Sequence, residues 1–137
     1  MVAVKLLDPD CRPARRTPGS SGYDLLAREA RTIAPGAVQA VPVGVVFDLP
    51  SDVEVQVRPK SGLATRGVLA LWGTVDSDYR GEVLVVLFNH SPEPFVIEKG
   101  RAVAQAVFSS VWHPMIGEVD VVTQTERGAG GFGSTGI

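Results

Sequence analysis

One stretch, Val53-Glu-Val-Gln-Val-Arg58, alternates apolar and polar residues without interruption. Successive side chains of a β-strand point to opposite faces, so this alternation predicts a strand in a sheet that has one face in water. On an α-helix the same valines would be scattered around the whole surface. The stretch therefore decides in favour of a β fold.

Segments with strand character continue on both sides of this stretch. Residues 37–49 are rich in β-branched side chains, and Pro42 and Gly44 predict a bend or a sheet edge within them. The run Val83-Leu-Val-Val-Leu-Phe88 is apolar throughout, so we expect a strand covered on both faces, with another subunit as a candidate for one cover. Further strands are predicted at residues 2–7, 95–98, 102–111 and 118–122.

Turn residues separate these segments at positions 35–36, 49–52, 91–94 and 99–100. Short strands at this spacing are typical of a sandwich or a jelly roll. The best candidate for a helix is one short turn within residues 61–66. The sequence thus predicts an all-β fold with at most one short helix.

Length and composition limit the classes of function. A chain of 137 residues suits one domain, and a net charge of −2 gives no basic face for nucleic acid. The apolar run from Val83 to Phe88 is far shorter than the ~20 residues that span a membrane. An acid and a proline follow the N-terminus too soon for a signal peptide, and Cys11 has no partner for an internal disulfide. We therefore expect a cytoplasmic protein that binds neither nucleic acid nor a membrane.

Several chemistries lack their residues in this sequence. Zinc-dependent nucleoside deamination needs several Cys and His ligands, whereas this chain has one Cys and two isolated His residues. Neither a GxxxxGK[ST] phosphate loop nor a GxSxG nucleophile elbow occurs.

The C-terminal stretch Arg127-Gly-Ala-Gly-Gly-Phe-Gly-Ser-Thr-Gly-Ile137 combines residues suited to a nucleotide. Glycines let the backbone N–H groups turn toward an anion, and arginine offers a planar fork to phosphate oxygens. Phe132 has a flat face on which a base can stack. The stretch indicates a nucleotide clamp, and a disordered glycine-rich tail is the alternative.

Four other segments carry residues that a β fold does not require. Asp24 follows the flexible loop Ser20-Ser-Gly-Tyr, and the alternative is a plain turn. The segment Arg58-Pro-Lys-Ser-Gly-Leu-Ala64 puts Lys60 and Ser61 at a predicted helix start, where an anion is favoured, with an N-cap serine as the alternative.

The third and fourth segments are polar insertions between apolar runs. The stretch Gly73-Thr-Val-Asp-Ser-Asp-Tyr-Arg-Gly-Glu82 predicts a hairpin that carries two acids, a tyrosine and an arginine, and a solvated hairpin is the alternative. Gln105 lies in an apolar strand, where its amide needs a ligand, a water or the backbone as partner.

The order of these five segments resembles the motifs of the trimeric dUTPases. The resemblance implies a jelly-roll (β-clip) distorted barrel at residues 1–126 and a C-terminal arm at 127–137, exchanged between the subunits of a homotrimer. It also implies Mg²⁺-dependent cleavage of dUTP to dUMP and pyrophosphate at three sites between subunits. This reaction limits uracil in DNA and supplies dUMP for dTMP synthesis.

The resemblance also assigns roles to residues. Asp76 would position the attacking water as general base, Tyr79 would pack beneath the deoxyribose, and Asp24 would hold Mg²⁺ through water. Phe132 would stack on uracil. Of the remaining substrate-binding residues, the base would be read by Gly73, Thr74 and Val75. The phosphates would be bound by Lys60, Ser61, Gly62 and Gln105. The residues of the arm that would bind substrate are Arg127, Gly133, Ser134 and Thr135.

Two departures and two alternatives accompany this assignment. Lys60 stands where the family has arginine, and residues 66–73 are shortened, with Trp72 near the base-reading segment. A dCTP deaminase on the same fold would need a glutamate where this chain has Val86. A non-catalytic nucleotide sensor or protein-binding module predicts the loss of Asp76 or of the arm, and both are present.

Overall fold

The computed structural model describes residues 1–136, which form an all-β fold with one short α-helix. Ile137, the last residue of the predicted arm, lies outside the described residues. The strands are β1 Ala3–Leu6, β2 Tyr23–Leu26, β3 Arg31–Ile33, β4 Val38–Pro42, β5 Val45–Asp48, β6 Val53–Arg58, β7 Val68–Ala70, β8 Gly73–Val75, β9 Leu84–Asn89, β10 Phe95–Ile97 and β11 Ala102–Ser110. The helix α1 is Ser61–Ala64, and a 3-10 turn spans Pro9–Cys11.

The strands form a four-stranded sheet, a three-stranded sheet and two strand pairs, all antiparallel. The larger sheet has the order β2-β11-β6-β8, the smaller sheet β4-β9-β7, and the pairs are β1-β5 and β10-β3. The strand with strict alternation, β6, lies inside the larger sheet. Val55 and Val57 are buried in the core, whereas Glu54, Gln56 and Arg58 keep contact with solvent. The prediction of a sheet with one wet face is confirmed.

The predicted bend within residues 37–49 is also confirmed. β4 ends at Pro42 and β5 begins at Val45. Between them Gly44 has a φ of +66°, and a Cβ at this position would lie 2.8 Å from Sγ of Cys11. Glycine is therefore required here both by the backbone conformation and by the close approach of Cys11.

The strand predicted at residues 83–88 exists as β9, but its burial within one chain is one-sided. Val85 and Leu87 are fully buried, whereas Leu84 and Val86 are exposed. One chain therefore covers only one face of β9, and cover of the other face by another subunit stays a prediction. Together with Val38 of β4 and Leu69 of β7, the two exposed side chains form what we call the apolar sheet face.

Two predictions are wrong. Residues 118–122 form no strand, and the whole segment 111–136 contains only turns and bends. The stretch 73–82 is not a hairpin, because β8 pairs with β6 while β9 pairs with β4 and β7. It is instead a crossover from the four-stranded to the three-stranded sheet, so its polar residues lie where the chain passes from one sheet to the other.

The helix prediction is confirmed in a shorter form, since α1 covers four residues. Among residues 1–136, no helix is long and apolar enough to cross a membrane.

Candidate functional site

Three of the predicted segments meet on the larger sheet. In the register of β2, β11 and β6, Asp24 lies opposite Gln105, and Gln105 lies opposite Arg58. Since Lys60 and Ser61 follow directly after β6, they lie at the same end of the sheet. We call Asp24, Lys60, Ser61 and Gln105 the phosphate cluster, after the role that the sequence predicts for them.

Asp24 is the buried charge of the phosphate cluster. Its side chain is 8% exposed, and its Oδ2 accepts a hydrogen bond of 2.5 Å from Nε of Arg16. Nζ of Lys60 forms an ion pair with Oδ1. A buried carboxylate is costly unless it is paired, and here both oxygens have a cationic partner. The partner Arg16 was missed by sequence reasoning, although three arginines at positions 12, 15 and 16 precede the Asp24 loop.

Gln105 is held by the backbone. Its Nε2 donates to the carbonyl of Pro59 at 3.0 Å, so the backbone is the partner that its amide needs. A Cβ at Gly22 would lie 2.1 Å from Oε1 of Gln105. The glycine of the loop before Asp24 therefore makes room for this side chain, a role that the sequence did not reveal.

Ser61 is the first residue of α1 and not its cap. The N-cap position belongs to Lys60, whose carbonyl accepts from the backbone N–H groups of Leu63 and Ala64 at 3.1 and 2.9 Å. Ser61 is therefore not an N-cap serine, and that alternative is wrong. Its side chain is exposed and forms no hydrogen bond with residues 1–136, so the hydroxyl is available as a donor to a ligand.

A second group of predicted residues lines a groove beside β8. Gly73, Thr74, Val75, Asp76 and Tyr79 surround a cavity of about 210 Å³ together with three apolar side chains, Val57, Val83 and Leu84. Because β8 is the last strand of its sheet, its outer backbone N–H and C=O groups have no strand partner among residues 1–136. Such an edge can pair with the hydrogen-bonding edge of a base.

The Tyr79 ring is fixed in this groove. Its backbone N–H donates to the carbonyl of Asp76 at 3.1 Å, and its hydroxyl donates to the carbonyl of Glu82 at 3.0 Å. A Cβ at Gly81 would lie 2.2 Å from the Tyr79 hydroxyl oxygen, so the ring position requires glycine there. The ring itself is 45% exposed and presents a flat apolar surface to the groove.

Trp72 does not line this groove. The guanidinium of Arg58 lies 5.2 Å from the centre of its ring, and the side chain is 68% exposed. Because Trp72 directly precedes Gly73, its backbone lies beside the base-reading segment. Its ring, however, packs against Arg58.

The groove and the phosphate cluster are separated within one chain. Val75 pairs with Val55, so Asp76 lies near the level of Glu54, four residues before Arg58. At ~3.3 Å per residue, this separates the two groups by about 13 Å along β6. One subunit therefore does not bring Asp76 to the phosphate cluster.

The described part of the C-terminal arm, residues 127–136, forms no hydrogen bond with either group. The N–H of Val111 donates to the carbonyl of Asp52 at 2.8 Å, and beyond it the recorded hydrogen bonds of residues 112–136 are local turns. Nε of Arg127 donates to the carbonyl of Gly130 at 2.8 Å, and Phe132 is fully exposed with a φ of +51°. Residues 111–127 can extend over roughly 50 Å.

The acidic side chains fit a metal that a nucleotide brings with it. No group of three or more His, Cys, Asp or Glu in residues 1–136 is arranged to hold an ion. Magnesium is commonly bound through one or two carboxylates together with substrate phosphates and water. Asp24, beside Lys60, offers one such carboxylate and is suited to hydrogen-bond the water shell of the ion.

Comparison with known proteins identifies close relatives of the chain. The dUTPase family profile matches residues 11–136. A deoxyuridine 5'-triphosphate nucleotidohydrolase from Rhizobium rhizogenes is 48% identical over 132 residues, which cover 91% of this chain and 85% of that protein. The protein of that name from Brucella melitensis biotype 2 is 49% identical over 131 residues, 90% of this chain and 83% of that protein.

Solved structures share the fold. The dUTPase of Staphylococcus bacteriophage 80alpha with dUPNHPP has a TM-score of 0.93 at 23% identity, over 100% of this chain and 99% of that chain. Its G164S mutant with dUpNHpp has a TM-score of 0.89 over the same shares. At this identity the likeness concerns the fold, and it confirms the predicted jelly-roll class.

Proposed function

This chain belongs to the dUTPase family, and we propose that it is a dUTP diphosphatase that hydrolyses dUTP to dUMP and pyrophosphate with magnesium. In the cytoplasm this activity limits uracil in DNA and supplies dUMP for dTMP synthesis. The observation that carries the proposal is the groove beside β8, which combines an open strand edge, the fixed Tyr79 ring and Asp76. These are the elements needed to bind a deoxynucleoside next to a carboxylate.

At the nucleoside end, the backbone of Gly73, Thr74 and Val75 reads the uracil edge. Tyr79 packs beneath the deoxyribose and leaves no room for a ribose 2'-hydroxyl. Asp76 binds the 3'-hydroxyl and orients the water that attacks the α-phosphorus, accepting its proton as general base. An aspartate is a weak base at neutral pH, so its main contribution is to position the water.

At the phosphate end, the phosphate cluster binds the triphosphate. Ser61 and the backbone of Gly62 donate to the middle phosphate, Lys60 supplies positive charge, and Gln105 donates toward the α-phosphate. Asp24 hydrogen-bonds the water shell of magnesium. The ion, when bound, neutralises phosphate charge and improves pyrophosphate as a leaving group.

A homotrimer with sites between subunits accounts for the separation of the two groups. One subunit supplies the groove and another supplies the phosphate cluster, so the ~13 Å between them along β6 within one chain is no obstacle. The apolar sheet face supports this assembly, because exposed apolar patches of this kind mark protein interfaces.

The arm, residues 127–137, closes the site of another subunit. Arg127, Ser134 and Thr135 bind the terminal phosphate, the backbone of Gly133 turns toward it, and Phe132 stacks on uracil. Residues 127–136 form no hydrogen bond with residues 1–110, and this supports the role of a lid that becomes ordered only with substrate bound.

The test is pyrophosphate release from dUTP, dCTP, dTTP and UTP in the presence of magnesium. We expect a strong preference for dUTP, and a kcat that falls at least ~100-fold in Asp76→Asn with little change in KM. The Asn variant is nearly isosteric, so an unchanged melting temperature shows that the fold is intact. Release of ammonia from dCTP, or no turnover of any nucleotide, contradicts the proposal.

A further inference from the structure

Two cations within residues 1–136 pair with Asp24, and the proposed function gives a role to Lys60 but none to Arg16. Its Nε donates to Oδ2 of Asp24 at 2.5 Å, while Lys60 pairs with Oδ1. The two partners differ sharply in exposure, since the side chain of Arg16 is 74% exposed and that of Asp24 only 8%. A mostly exposed guanidinium is thus hydrogen-bonded to a buried carboxylate.

The backbone of Arg16 is fixed on both sides. Two residues earlier, the carbonyl of Ala14 accepts from the N–H of Asp24 at 2.9 Å in an isolated β-bridge. On the other side, Thr17 and Ser20 close a turn, with the N–H of Ser20 donating to the Thr17 carbonyl at 3.1 Å and their hydroxyls 2.9 Å apart. The side chain therefore starts from a defined position, and only its tip is free to move.

Most donors of Arg16 are unused. A guanidinium has five N–H donors, and within residues 1–136 this one forms a hydrogen bond through Nε alone. Its neighbour Arg15 differs, because its Nη1 donates to the carbonyl of Pro18 at 2.9 Å and its guanidinium lies 5.5 Å from the centre of the Tyr23 ring. Arg15 therefore has the same charge in the same loop but a structural partner.

We propose that Arg16 is an additional triphosphate-binding residue, which is held by Asp24 in the free protein and moves to the phosphates when nucleotide binds. The inference rests on the proposed function, because it takes the surroundings of Asp24 and Lys60 as the phosphate end. Hydrated magnesium and the Arg16 guanidinium compete for the buried carboxylate of Asp24, so binding of the ion releases Arg16. The released guanidinium can then donate to phosphate oxygens in a planar geometry that Lys60 lacks. Arg16 thereby supplies the planar, bidentate donor group that Lys60 lacks.

The test measures binding of dUpNHpp by calorimetry, once in EDTA and once with magnesium, together with dUTP turnover. The variants are Arg16→Ala, Arg16→Lys and, as the charge-matched control, Arg15→Ala. In EDTA we expect Arg16→Ala to weaken binding about tenfold, the size of one charge-assisted hydrogen bond, and Arg16→Lys to weaken it about threefold. Arg15→Ala stays within about twofold, and the KM for dUTP rises in Arg16→Ala while kcat changes little.

Three results would overturn the inference. Equal losses in Arg16→Ala and Arg15→Ala would mean that only net charge matters. Tighter binding in Arg16→Ala, or a lower magnesium requirement, would mean that Arg16 merely blocks Asp24. If the wild type neither binds dUpNHpp nor hydrolyses dUTP, the proposed function fails and this inference with it, whereas an active wild type isolates the role of Arg16. Because Lys60 still pairs with Asp24 in every variant, we expect all of them to fold, and the melting temperature checks this. If Arg16→Ala does not fold, Arg16→Lys carries the test, because it keeps a cation beside Asp24.

Discussion

Asp24 shows how a single residue joins the fold to the proposed chemistry. Its backbone bridges to Ala14, its side chain is buried, and both carboxylate oxygens meet a cation. Removing one partner from a buried charge is more damaging than the small net value of such a pair would indicate. The residue is thus kept in place by the two cations, Lys60 and Arg16, that we propose to bind the phosphates of a nucleotide.

Another ion pair predicts a pH dependence of stability. Nζ of Lys99 donates to Oδ2 of Asp8 at 2.7 Å, and this hydrogen bond lowers the pKa of Asp8 from its usual 3.8 and raises the pKa of Lys99 from its usual 10.5. The stability from Asp8 is present above pH 3.8 and lost as the pH falls through its lowered pKa. The stability from Lys99 is present below pH 10.5 and lost as the pH rises through its raised pKa.

We therefore expect Asp8→Asn to lower the melting temperature by no more than a few degrees at neutral pH, and the difference to vanish in strong acid. Asparagine preserves the hydrogen bond that Asp8 accepts from the N–H of Asp10 at 3.0 Å, so the change isolates the charge. Asp10→Asn is the control, because its carboxylate lies 3.7 Å from Lys99 and is mostly exposed. A constant difference between wild type and Asp8→Asn at all pH values would contradict this account.

At single residues, the sequence allowed a prediction only where a local pattern marked the position. Asp24, Asp76 and Tyr79 stood out because they interrupt strand segments with polar chemistry. Arg16, Gly22 and Gly81 did not, because their importance depends on tertiary approach: an ion pair, the Gln105 amide and the Tyr79 hydroxyl. Such contacts leave no trace in spacing or composition.

At the scale of elements, success followed the length and regularity of the pattern. β6, β9 and β11 are long strands with clear apolar periodicity, and each was predicted within two residues of its bounds. β2, β3 and β7 were missed, because three or four residues are too few to show a period, whereas the equally short β10 was predicted because turn residues bound it on both sides. Residues 118–122 alternate in sequence, yet alternation makes a strand only where the segment pairs with another strand, and within residues 1–136 this segment pairs with none.

The arm is the element whose function is most separable from the fold. Residues 127–136 contribute no core side chain and form no recorded hydrogen bond to residues 1–110. We expect deletion of residues 127–137 to remove most dUTP turnover while the melting temperature and the assembly state stay unchanged. Turnover by steady-state assay and mass by light scattering check the two halves of this prediction. Dissociation on deletion would show that the arm holds the subunits together instead.

For the whole molecule, topology decides what one chain can do. The crossover after β8 puts Asp76 at one end of the larger sheet, and the register of β2, β11 and β6 puts the phosphate cluster at the other. The sequence predicted a jelly roll but not this separation, because the order of strands in a sheet depends on pairings between distant segments. The hairpin prediction was wrong for the same reason, since its two strands pair with other partners.

The central claim, that each site is assembled from several subunits, is tested most directly by mixed trimers. Chains with Asp76→Asn and chains lacking residues 127–137 are co-expressed in equal amounts, and dUTP turnover is measured for the co-assembled protein and for each parent. Random assembly makes about three quarters of the trimers mixed. In each mixed trimer, one of the three sites combines an intact groove with the intact arm of another subunit. We therefore expect about a quarter of wild-type activity from two nearly inactive parents. Activity no higher than that of the parents would show that groove and arm must come from one chain, and would contradict the account.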